Sequence, residues 1–186
     1  MRRRDRGALH FRSPVELVRS QGDVVAADER VQLSGAVTRA DASFSALPFE
    51  DDCSLDAIVA YVERERGTKV NITPLETLRG TSTCGLVVRR QGMHHIFYVP
   101  ETSPLHRLQC VLHELSHVLL RHDESSPGSV GQLARFVPDI RLERGDAIFG
   151  RVAFEDETEV EAERLADRLA AAIRRPRRHP LEEHFG

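Results

Sequence analysis

Residues 111–123 read VLHELSHVLLRHD, and His113, Glu114 and His117 interrupt an otherwise apolar run. On a helix, residues four apart lie on one face, one turn from each other, so the two imidazoles can reach a common point. Neutral imidazole nitrogens bind zinc at about 2.0–2.1 Å. Glu114, next to the first histidine, falls on the substrate side of such an ion. It suits a general base that takes a proton from zinc-activated water and hands it to a leaving amine. The flanking Val111, Leu112, Leu115, Val118, Leu119 and Leu120 would bury the other faces of the helix. Polar groups buried there without partners are costly, and coordination relieves that cost for the histidines. His122 lies five residues past His117. On a continuous helix that offset turns it away from the pair, so it reads as a charge suited to the helix C-terminus.

A catalytic zinc needs a third protein ligand and an open position. The acidic stretch 155–167 supplies the candidates. Glu163 is favoured, because Asp167 one turn later can accept a hydrogen bond from a ligand histidine and orient it. Glu163 also lies among Ala162, Leu165, Ala166, Leu169 and Ala170, which should pack on the histidine helix. Glu159, one turn earlier, is the alternative. His94 and His95 precede the metal helix in HHIFYV, and His95 is the candidate for stabilising the oxyanion of a tetrahedral intermediate. Tyr98 could supply an O–H donor there, or serve as strand packing.

These residues need elements to hold them. SLDAIVAYVERERG predicts a helix from an N-cap at Ser54 to a stop at Gly67. Residues 69–73, 84–90 and 94–99 read as strands, the last two joined by a Gln91-Gly92 hairpin turn. HHIFYV could also be an edge on which an extended peptide docks. The metal helix begins near Ser103-Pro104 and runs through His122. A last helix covers 155–175 and stops at Pro176. The expected domain therefore spans 51–176, with 123–154 as a long loop or lid. Residues 1–50 read as an N-terminal extension, a short helix near SPVELVRSQ followed by linker, and 177–186 as a flexible tail.

The bulk composition narrows the partners. Net charge is −3 and Trp is absent, which argues against nucleic acid as a ligand. No apolar run is long enough to span a membrane. The basic N-terminus lacks the apolar segment of a signal peptide. Cys53, Cys84 and Cys110 form no C-x-x-C pair, as expected of a reduced, cytoplasmic chain.

Residues from about 50 to 176 resemble the ImmA/IrrE family of zinc-dependent, gluzincin-like endopeptidases. The resemblance rests on RLQCVLHELSHVLLRHD and on ERLADRLAAAIRRP. In the second stretch Glu163, Ala166, Asp167, Leu169, Ala170 and Pro176 match the family's E-x-x-A-[DN]-x-[FL]-A run and its later proline. The resemblance implies a small α+β, zincin-like domain, with a short antiparallel sheet packed on the H-E-x-x-H helix and a second, ligand-bearing helix. It implies zinc held by His113, His117 and Glu163, with Glu114 as base, and proteolysis of a helix-turn-helix type repressor. The alternatives are a regulatory binding module that keeps zinc without cleaving, and a toxin-like partner of a toxin–antitoxin pair.

Overall fold

The computed structural model describes residues 14–49, 53–80, 85–100, 103–125, 147–149 and 156–174. Helix α1 spans Pro14–Ser45 and α2 spans Leu55–Arg66. Strand β1 covers Lys69–Pro74, β2 Gly85–Arg90 and β3 Met93–Tyr98. Helix α3 follows over Pro104–Leu119, then the single turn α4 over His122–Ser125. A short strand, β4, lies at Ala147–Phe149, and α5 spans Asp156–Ile173. The fold is α+β, with one four-stranded sheet in the order β1-β3-β2-β4.

Local chemistry sets the element boundaries. The Ser54 hydroxyl accepts a hydrogen bond from the Ala57 amide at 3.1 Å, capping α2. Gly67, at φ +58°, ends it in the left-handed conformation that glycine adopts without steric cost. Gln91 and Gly92 both have positive φ, as a two-residue hairpin turn requires. Ser103 caps α3 by accepting from the His106 amide at 3.2 Å, and Pro104 fits the first turn.

The sheet departs from the expected antiparallel one. β2 pairs with β3 and β4 antiparallel, but β1 pairs with β3 in parallel, Val70 opposite His94 and Ile72 opposite Ile96. The chain leaves β1, passes a 3-10 turn at Glu76–Leu78 and returns one position beyond, so β3 closes the gap between β1 and β2. Both sides of β3 are therefore occupied, and HHIFYV is not an edge for a docking peptide. The stretch expected to be a loop or lid, 123–154, holds most of α4 and the edge strand β4. Its remaining residues, 126–146 and 150–154, lie outside the described residues, as do 1–13 and the expected tail.

The two faces of the sheet feed separate clusters. Val87 and Ile96 join the main core with Ile58, Val62, Leu112, Leu115, Leu165 and Leu169. Leu86, Val88 and Phe97 point the other way, onto Leu78. This is the two-residue alternation of a pleated strand.

The region expected to be linker is the second half of α1. Ala36 and Ala40 are fully buried, and Phe44 packs on the main core. Residues four apart share a helix face, and small side chains let that face come close to a neighbour. Charged pairs flank the contact with α5. Arg39 binds Glu157 and Glu161, each at 3.0 Å, and Arg164 binds Asp41 at 3.0 Å. Composition suggested a linker because alanine and serine carry little hydrophobic signal, yet alanine is what this contact needs. Ala40→Leu should therefore overpack the contact and cost about 1–3 kcal/mol in denaturant unfolding. In a linker the same change would be neutral.

Candidate metal centre

The site is built on the pairing of α3 with α5. Gln109 donates to Asp167 at 2.9 Å, and His117 lies 3.4 Å from Glu159. Eight residues forward on α3 (117 − 109) match eight back on α5 (167 − 159), so the helices run antiparallel at this contact. Leu112, Leu115, Leu165, Ala166 and Leu169 fill the space between the helices and the sheet.

Three donors converge at one end of this pairing. His113 Nε2 and His117 Nε2 are 3.1 Å apart. Glu159 Oε2 is 3.5 Å from His113 Nε2, and its Oε1 is 3.4 Å from His117 Nε2. Donors at about 2.0–2.1 Å from a tetrahedral ion stand about 3.3–3.4 Å from one another. The histidine pair stands close to that edge length, and a different oxygen of Glu159 faces each ring at a similar distance. Two nitrogens and one carboxylate are also a donor set that zinc accepts. Among the described residues, His113, His117 and Glu159 are the group whose ligand atoms could hold a metal ion.

Solvent reaches the group from one side. The His117 side chain is 1% exposed, while those of His113 and Glu159 are 14% and 19% exposed. Burial alone would raise the Glu159 carboxyl. Hydrogen bonds and charge attraction from His113 and His117 outweigh that and hold it at about 2, against an ordinary 4.5. Glu159 is thus ionised and ready to ligate near neutral pH.

The third donor corrects the expectation. Glu163 is exposed, and Glu159, the alternative, meets the histidines. Glu159, Glu163 and Asp167 repeat every four residues, so all three lie along one stripe of α5. Only the register between the helices selects among them. Asp167 does not orient a ligand histidine either: it is exposed and accepts from Gln109. The proposed oxyanion group fails for a similar reason. His95 sits on the sheet face opposite α3, stacked on Phe97 with ring centroids 6.3 Å apart. Tyr98 lies on the face toward α3 and packs against the main core.

Glu114 is 4% exposed and lies over the start of β2. A Cβ added at Gly85 would stand 2.7 Å from Glu114 Oε1 and 2.8 Å from its Cγ. The missing side chain at Gly85 is therefore what makes room for the carboxylate. Gly85 pairs with Tyr98 across the ladder, which puts Tyr98 beside this slot. Nothing in the pattern of CGLVVRR marks Gly85 as special; the close approach is a tertiary fact.

His122 also departs from its expected place. It is 7% exposed, and its Nδ1 lies 3.0 Å from Nδ1 of His117. The helical offset argument fails because α3 ends at Leu119. Arg121 then takes φ +60°, a left-handed conformation that costs a non-glycine residue about 1–2 kcal/mol. The reversal brings α4 back toward His117.

Comparison with family models, with curated proteins and with solved structures finds no match to this chain. The described residues contain no helix long and apolar enough to cross a membrane. Cys53 is partly exposed and Cys110 buried, and Cys84 lies outside the described residues.

Two substitutions test the third donor. Glu159→Gln should weaken the binding of added zinc, read by elemental analysis of the purified protein, and Glu163→Gln should leave it unchanged. The reverse pattern would restore Glu163 as the ligand. Gly85→Ala tests the slot: the added methyl should displace Glu114 and cost about 1–3 kcal/mol in denaturant unfolding.

Proposed function

We propose that this protein is a zinc-dependent endopeptidase of the zincin type. The observation that carries the reading is the convergence of His113 Nε2, His117 Nε2 and the Glu159 carboxylate, with one ligand atom of each within 4.8 Å of the others. Three protein donors on a partly exposed cluster suit a catalytic ion, since structural zinc sites are closed by four. When bound, zinc would polarise a scissile carbonyl and make water acidic enough to deprotonate near neutral pH.

The chain's own residues supply the rest. Glu114 is adjacent in sequence to His113 and held in the slot above Gly85. Its carboxylate can take a proton from the attacking water and return it to the departing amine. Burial of Glu114 and His117 excludes bulk water from one side of the reacting centre. Exposure at His113 and Glu159 leaves the other side open to a polypeptide.

The likeness of the two helix motifs to the ImmA/IrrE family supports a helix-turn-helix type repressor as the substrate class and the cytoplasm as the place of action. The test is co-expression with the helix-turn-helix regulator encoded nearest the gene, followed by mass spectrometry of the regulator. Wild type should yield a discrete fragment. Glu114→Gln should keep zinc and reduce cleavage by about 10²–10⁴-fold. Cleavage at an undiminished rate by Glu114→Gln would rule out its role as base. A regulator that is inactivated but stays whole would point to binding without proteolysis.

A further inference from the structure

His117 uses both ring nitrogens. Its Nε2 faces His113 and Glu159, and its Nδ1 faces His122 Nδ1 at 3.0 Å. An imidazole that gives the Nε2 lone pair to a metal carries its single proton on Nδ1. That proton needs an acceptor, and His122 Nδ1 stands at hydrogen-bond distance. Across this contact one nitrogen must donate and the other accept. His122 therefore accepts at Nδ1 and, as a neutral ring, holds its own proton on Nε2.

We propose that His122 is a positioning residue of the metal centre: it accepts the His117 Nδ1 proton, fixing that ligand's tautomer and ring plane. The inference rests on the zinc reading of His113, His117 and Glu159. Partners of this kind are usually carboxylates, backbone carbonyls or water. A neutral imidazole does the same work without adding negative charge, so it leaves the ion more electrophilic than a carboxylate would.

The surroundings hold His122 in place. Arg121 makes the left-handed reversal that starts α4. Glu124, in the same turn, is gripped from two sides, by Arg121 at 2.9 Å and by Arg66 at the end of α2 at 2.8 Å. The Arg66 side chain is 5% exposed, whereas those of Glu124 and Arg121 are 46% and 58% exposed, so the clamp is anchored on its α2 side and open to water on the other. Leu120, between α3 and α4, packs on the main core. The turn after the metal helix is thus tied to α2 as well as to the core.

The experiment measures zinc affinity of the full chain by competition with a chromogenic chelator, with metal-free folding followed by circular dichroism. His122→Leu removes the acceptor and should weaken zinc by about 10–100-fold. His122→Asn places an amide oxygen near the position of Nδ1 and should keep most of the affinity. A packing role alone would not be rescued by the smaller, polar asparagine. If His122→Leu does not fold, a long-range proton–nitrogen spectrum of zinc-loaded wild type decides. Protonation of His117 at Nδ1 and of His122 at Nε2 alone is expected, and a proton on His122 Nδ1 overturns the assignment. Wild type without zinc affinity overturns the metal reading and this inference with it. Wild-type affinity in His122→Leu, with zinc bound normally by wild type, overturns the positioning role alone.

Discussion

Everything at the site depends on how α3 and α5 are set against each other. The helices must meet in a register that brings an ionised carboxylate to two imidazoles inside a mostly apolar contact. Apolar packing alone would tolerate other offsets, since leucines and alanines can interdigitate in several ways. The polar residues are less forgiving. A shift of one turn would take Glu159 away from both histidines and break the Gln109–Asp167 hydrogen bond. The buried charge is thus costly in desolvation and useful as a selector of one arrangement.

That dependence explains which features were legible in the sequence. The H-E-x-x-H spacing lies within one helix, and local geometry alone puts His113, Glu114 and His117 where the structure shows them. The caps of α2 and α3 and the Gln91-Gly92 turn are local in the same sense. The third ligand is not local. Three acids at a four-residue period occupy one stripe of α5, and a motif that matches in one register nearly matches in the next. Glu163 satisfied the sequence pattern, whereas Glu159 satisfies the distances.

The other differences share this cause. A continuous helix would turn His122 away, but α3 ends at Leu119 and the left-handed Arg121 reverses the chain. His95 and Tyr98 are near neighbours in sequence, yet strand alternation sends them to opposite faces, and which face meets α3 is decided by packing. Gly85 reads as an ordinary strand residue, and only the Glu114 carboxylate, packed where its Cβ would stand, makes it special. Alanines at 36 and 40 looked like linker because small side chains announce a close contact only once the neighbour is known.

The first helix gains a meaning from its position. α5 has α3 against one side, where its Glu159 meets the histidines, and α1 against another, held by Arg39 on Glu157 and Glu161 and by Asp41 on Arg164. Glu157 and Glu161 bracket Glu159 in the chain. The N-terminal helix therefore grips α5 at the same turn that delivers the ligand, though it contributes no ligand itself. In mechanical terms it is the backstop of the third donor, buttressing α5 from the side away from the two rings.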